Sequence, residues 1–268
     1  MKDISFEEAK RLELEILINV AEFCEKHALR YYLAYGTLIG AIRHKGFIPW
    51  DDDIDIWMPR PDYDKLMEIF NAENEDKTFR LIAPMEKDSS FHTYAKVINV
   101  NTEKIELGRK SGSVLGVDID IFPLDGQPDQ DKEYEAWYYK LMRLYKRYTF
   151  SCKSLDGYPF KTKLHILLYR GDAPRREKIF NETKKLHAQY PYESCKYVGA
   201  TETIDNGIGN RFEREWFEDS VMVEFEGLSF RAPKGYHEIL SKVYGDYMQL
   251  PPESKRVTHH SNTMKWKD

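Results

Sequence analysis

Asp51, Asp52, Asp53 and Asp55 fall within five residues, and a second acidic pair, Asp118 and Asp120, stands in a run of alternating apolar residues. Carboxylates spaced by two share one face of an extended chain, so Asp51, Asp53 and Asp55 would crowd together, as would Asp118 with Asp120. Like charges roughly 4–6 Å apart raise one another's pKa and oppose folding unless a cation neutralises them. An all-oxygen set suits a hard divalent ion, so Mg²⁺ is the expected cofactor and Mn²⁺ its substitute. Upstream, Gly36 and Thr37 precede the apolar run Leu38 to Ile42. Glycine lets a ligand approach the backbone, threonine offers a hydroxyl, and the first amides of a short helix would face an anion. A phosphate seat thus adjoins a metal seat. Lys96, inside the strand pattern Tyr94 to Asn99, faces either an anion such as a diphosphate oxygen or solvent at a sheet edge. Arg43, with His44 and Lys45, could balance charge at the phosphate turn or sit at a solvated helix end, where cations favour the dipole.

Residues Gly46 to Asp55 read Gly-Phe-Ile-Pro-Trp-Asp-Asp-Asp-Ile-Asp, and Asp120 to Asp125 read Asp-Ile-Phe-Pro-Leu-Asp. Both strings resemble signatures of the LicD family, phosphocholine transferases of bacterial surface polysaccharides related to the fukutin-like ribitol-phosphate transferases. Val243 to Pro252, and the terminal stretch with His259 and His260, are similar to the family's ending. The likeness covers roughly Tyr31 to Asp125 and Phe212 to His260. It implies a nucleotidyltransferase-like fold in which a Gly-Ser/Thr turn and an Asp-x-Asp pair hold metal and nucleotide diphosphate, matched here by Gly36, Thr37, Asp53 and Asp55. The third carboxylate is matched by Asp120, with Asp118 in reserve. The catalytic set so implied is Asp53, Asp55 and Asp120, with Gly36 and Thr37 seating the donor diphosphate and Asp118 as the reserve metal ligand. The residues' own positions add Lys96 and Arg43 as candidate donor contacts and Asp51 as a further candidate metal ligand. The implied donor is CDP-choline or another CDP-linked compound. The implied acceptor is a sugar hydroxyl of a glycan or lipid-linked glycan, in lipopolysaccharide, teichoic acid or capsule. Trp50 and Trp57 are candidates for an aromatic cage around a quaternary ammonium. Two other readings stand beside this one: an Asp-x-Asp glycosyltransferase using a sugar nucleotide, and a non-catalytic, divalent-ion-dependent glycan-binding protein.

The elements that must position these residues are legible from periodicity. Ser5 and Glu8 form a capping-box pattern, and Leu12, Ile16, Val20 and Phe23 recur at helical spacing through about His27, predicting a helix that lids a sheet. Strands are expected at Tyr31 to Tyr35, Asp53 to Met58, Phe79 to Ala83, Thr93 to Asn99 and Val114 to Phe122. Gly46 is expected to end the short helix after the first strand, and a helix beginning at Pro61 should bury Tyr63, Leu66, Met67 and Phe70. From Asp131 to Gln189 the texture is helical, with breaks near Ser154 to Pro159 and Gly171 to Pro174. Lys196 to Thr201 and Val221 to Phe225 read as strands returning to the sheet, with a hairpin turn at Phe225 to Leu228. The expected fold is α+β: a nucleotidyltransferase-like mixed sheet flanked by helices. It comprises one domain over 1–268, with a core at 1–130, a helical insertion at 131–190 and a C-terminal segment at 191–268.

The 268 residues carry a formal net charge of −5, which argues against a nucleic-acid polymer as partner. Local clusters such as Arg143, Lys146 and Arg147, or Lys161 and Lys163, could still meet an anionic glycan or make peripheral contact with a membrane. Cys24, Cys152 and Cys195 are widely spaced and suggest neither a disulfide framework nor a zinc site, which fits a reducing cytoplasm. No run reaches the length of a membrane span and no signal-peptide pattern opens the chain, so the expected location is cytoplasmic, at the membrane's inner face if anywhere.

Overall fold

Ser5 accepts a hydrogen bond from the Glu8 backbone N–H at 3.2 Å and starts α1 (Phe6–Lys26). The reciprocal half of the box is not made, because the Glu8 carboxylate accepts from Trp266 Nε1 at 3.0 Å. The computed structural model of the chain describes residues 2–84, 92–106, 115–152, 159–169, 173–201, 210–257 and 262–268. Leu12, Ile16, Leu17, Val20 and Phe23 form the buried stripe of α1, and each fully buried aliphatic contributes roughly 1.5–3 kcal/mol.

After α1 come β1 (Tyr32–Leu33), α2 (Tyr35–His44), β2 (Asp55–Pro59) and α3 (Arg60–Glu73). They are followed by β3 (Phe79–Ile82), β4 (Ala95–Asn99), β5 (Thr102–Glu106) and β6 (Asp118–Gln127). The first strand stops short of Tyr35, which adopts φ 40° and opens α2 directly. Lys45, not Gly46, takes the left-handed position that ends α2, at φ 61°. Gly46 serves a close approach instead, since a Cβ there would meet Glu226 Oε1 at 2.1 Å. In α3, Ile69 joins Tyr63, Leu66 and Phe70 in the core, while Met67 is only partly buried.

The sheet runs in the order β1-β2-β6-β4-β3, with β2 parallel to β6 and the other pairs on this path antiparallel. β6 is its axis: the first half pairs with β2 and β4, and its end pairs with β7 (Tyr197–Gly199), which continues to β8 (Phe212–Glu213). The strand expected at Val221 does not return to this sheet. β9 (Ser220–Phe225) and β10 (Leu228–Pro233) form a separate hairpin, turned through Glu226 and Gly227 at φ 51° and 75°. α7 (Tyr236–Tyr244) follows, and β11 (Asn262–Trp266) pairs with β5, a two-stranded sheet the periodicity did not announce.

The helical region comprises α4 (Asp131–Cys152), α5 (Phe160–Tyr169) and α6 (Ala173–His187). Tyr138, Leu141, Leu144, Tyr145 and Tyr148 of α4 pack with Ile179 and Leu186 of α6 into a core of their own. Asp125, near the end of β6, clamps this unit to the sheet. It accepts two hydrogen bonds from the Arg60 guanidinium at 2.7 and 2.6 Å, and its Oδ2 lies 3.1 Å from His187 Nδ1. Asp125 is thus a structural anchor. Cys24 and Cys195 are free and buried, and among the described residues no helix is long and apolar enough to cross a membrane.

Candidate functional site

The acidic run lies where α2 begins and β2 has not yet started. Asp51, Asp53 and Asp55 are partly exposed while Asp52, Ile54 and Ile56 are buried, so the alternation expected of a strand holds although pairing begins only at Asp55. Ligand oxygens of Asp51, Asp52 and Asp53 lie within 4.8 Å of one another. Asp52 is an addition to the expected set, brought in by the turn preceding β2. Asp51 also packs on the first turn of α2: a Cβ on Gly36 would meet its Oδ2 at 2.4 Å. Glycine leaves room there for a close approach, made in this structure by a carboxylate. Thr37 is buried, and its hydroxyl oxygen accepts from the Asp55 N–H at 2.9 Å, fixing the start of β2 against α2.

The parallel register sets Asp55 opposite Asp120, and the antiparallel register sets Lys96 opposite Asp120 from the other side. β4 is an interior strand, which removes the edge-protecting role for Lys96. Its ammonium pairs with Asp120 and, at 2.7 Å, with Asp118 Oδ2. Asp118 and Asp120 share a face but differ in depth. The Asp118 side chain is 1% exposed and is gripped by Lys96 and Lys104, whereas that of Asp120 is 16% exposed, at the rim beside Asp55. Burial alone would raise the Asp118 carboxyl, but the two ammonium groups prevail and hold it down to about 2.

The rim behaves oppositely. Burial, then the charges of Asp53 and Asp52, push the Asp51 carboxyl up to about 7. Burial, then Asp53, Asp120 and Asp51, raise Asp55 well above its usual range against the opposing charge of Lys96. Glu13 on α1 is fully buried, neither of its oxygens has a hydrogen-bond partner among the described residues, and burial raises it strongly, with Lys104 opposing. The sequence reading missed Glu13. The signal was a carboxylate between Leu12 and Ile16 on the apolar stripe of a helix read only as a lid.

These donors are hard oxygens carrying more negative charge than Lys96 offsets, an arrangement that fits a divalent cation of the Mg²⁺ or Mn²⁺ kind. Asp51, Asp55 and Glu13 bind protons more tightly in the fold than in the unfolded chain, so the folded state carries the excess protons. Their contribution is therefore lost as pH rises, for Asp51 through about 7. His187, lowered to about 4 mainly by burial, acts in the other sense only below its ordinary value of 6.5. Metal-free protein is accordingly expected to melt lower at about pH 8 than at about pH 6.5. Calorimetry showing an unchanged or higher melting temperature at the upper pH would contradict the crowding.

A cavity of about 600 Å³ opens beside the cluster, lined by Ile39 and Arg43 of α2, by Trp50, and by Tyr244, Tyr247 and Arg256. Tyr244 lies within electrostatic reach of Asp55, Asp51 and Asp53, and the Arg256 guanidinium sits 5.6 Å from the Trp50 ring centre. Arg43 donates to the Tyr247 carbonyl at 2.7 Å, which fixes the chain segment carrying these groups. Arg43 thus stands at the end of α2 and not at the phosphate turn. Trp57 is not available as a cage wall: it is 1% exposed and packs against Tyr35, Phe212 and Phe217. His259 and His260 lie outside the described residues.

A family profile described as "LicD/FKTN/FKRP, nucleotidyltransferase domain" matches residues 28–163. The chain is 33% identical over 266 residues to the lipopolysaccharide cholinephosphotransferase LicD of Haemophilus influenzae, with 97% of each chain covered. Shorter matches, 38% identical over 55 and 63 residues, join it to uncharacterised proteins of Rickettsia prowazekii and Rickettsia typhi. The first of these covers 20% of this chain and 21% of the relative, the second 23% and 20%.

Proposed function

The chain belongs to the LicD/FKTN/FKRP family of nucleotidyltransferase domains, and on that premise we propose that it moves phosphocholine from CDP-choline to a sugar hydroxyl of lipopolysaccharide or its precursor. The observation that carries the reading is the register that faces Asp55 with Asp120 across two parallel strands, beside the Asp51 to Asp53 turn. Asp53, Asp55 and Asp120 would hold Mg²⁺, with Asp51 completing the set. Mg²⁺, when bound, would neutralise charge gathering on the leaving nucleotide. Gly36 and the first amides of α2 would seat the diphosphate, in the place the Asp51 carboxylate now approaches, and Thr37 holds the turn to β2.

Asp120, sharing the metal or acting as general base, would orient the acceptor hydroxyl and take its proton. It is partly exposed at the rim and, among the described lysines, meets Lys96 alone, while Asp118 is spent on two lysines. Lys96 steadies Asp120 from the opposite side. The cavity lined by Trp50, Tyr244 and Arg256 is the natural seat for the rest of the donor, because it combines aromatic faces with a cation, and its Tyr244 lies within electrostatic reach of the acidic cluster. Catalysis by this set rests on alignment and charge compensation, the main levers of phosphoryl transfer.

Incubation with Mg²⁺ and CDP-choline, CDP-ribitol or UDP-sugars tests the assignment. Slow, Mg²⁺-dependent CMP release is expected from CDP-choline in preference to the others, and chelation should stop it. UDP release from a sugar nucleotide would favour a glycosyltransferase, and no release with no donor binding would favour a glycan-binding module.

A further inference from the structure

α5 is a short helix whose outward side is apolar. Phe160, Leu164, Leu167 and Leu168 recur at the spacing of one helical face and are 81%, 50%, 50% and 64% exposed. Ile166, on the opposite side, is 2% exposed and anchors the helix. Single exposed leucines are ordinary, but four large apolar side chains on one face of ten residues form a patch that water disfavours. The region of the chain that carries it is basic in composition. Residues 131–190 carry fourteen Lys and Arg against seven Asp and Glu, in a chain whose net charge is −5. Lys161 and Lys163 interleave with the apolar face, and α4, against which α5 packs, adds Arg143, Lys146 and Arg147.

We infer that α5 is a membrane-contact helix, lying flat in the interface of an anionic bilayer with its apolar side in the acyl boundary and its lysines among the headgroups. Charge complementarity selects this occupant. A second copy would set one basic surface against another, and a neutral bilayer would leave the lysines unanswered. The overall negative charge does not oppose docking, because at physiological salt fields fade within about 8 Å and the bilayer meets only the local face. The helix is too short to span, so the contact is peripheral. It does not depend on the donor or on the reaction.

Cosedimentation with vesicles of phosphatidylcholine alone, or with about a third phosphatidylglycerol, tests this, with mass measurement by light scattering alongside. Wild type is expected to bind the anionic vesicles and to leave the neutral ones, with binding that weakens as salt rises. Lys161→Gln and Lys163→Gln should each weaken binding roughly fivefold. The triple change Phe160→Ser, Leu164→Gln, Leu168→Gln should weaken it at least tenfold, with CMP release in solution and the melting temperature unchanged. Failure of wild type to bind anionic vesicles would overturn the inference. So would equal binding by the triple variant, or a wild-type dimer that the triple change converts to monomer.

Discussion

Asp55→Asn is expected to reduce transfer by about a thousandfold or more while leaving the metal-free fold intact or slightly more stable. The two halves have one cause. Asp55 is partly buried among Asp53, Asp120 and Asp51, and its carboxyl is raised because burial and those charges disfavour the anion. An amide of the same shape relieves that repulsion, so metal-free melting should not fall. In the proposed role it would also remove a hard charged ligand, and a metal ion's stabilisation of developing charge amounts to several kcal/mol, which is roughly a thousandfold in rate. CMP release and calorimetry on one preparation read both. A variant that keeps wild-type turnover, or that unfolds, would remove Asp55 from the site.

Asp118 and Asp120 should part company in the opposite way. Asp118→Ala leaves Lys104 buried without its carboxylate partner. Removing one member of a buried pair costs roughly 3–5 kcal/mol. For a chain of this size that lowers Tm by on the order of 10 °C. Asp120→Asn is expected to hold Tm within a few degrees, because Lys96 retains Asp118, yet to lose transfer as severely as Asp55→Asn. Thermal unfolding and turnover measured on both variants separate the roles. If Asp118→Ala melts like wild type and Asp120→Asn turns over normally, the depth argument fails.

The likeness to the cholinephosphotransferase of Haemophilus influenzae runs nearly end to end, yet its significance for this chain rests on where the fold places the matched residues. Gly36 is held against Asp51, Asp55 faces Asp120, and the Tyr244 segment folds back beside Trp50. These meetings join parts of the chain far apart in sequence. The match through the C-terminal string becomes intelligible once Tyr244 and Arg256 line the cavity next to the acidic turn.

Local pattern was enough for much of this protein. The spacing of Asp51, Asp53 and Asp55 survives as exposed-buried alternation, and the α4 periodicity marks its core face. The 3.6 and 2.0 periods are properties of neighbouring residues, which is why one strand of text reveals them. What depends on register between distant strands stayed hidden. Whether Asp118 or Asp120 reaches the rim, whether Lys96 answers solvent or carboxylates, and that β11 belongs to the assembly were decided by strand pairing, while the packing of α1 on β4 and β6 brought in Glu13. The composition of a face follows from sequence; its depth, and the charges it meets, follow from which face is laid against it.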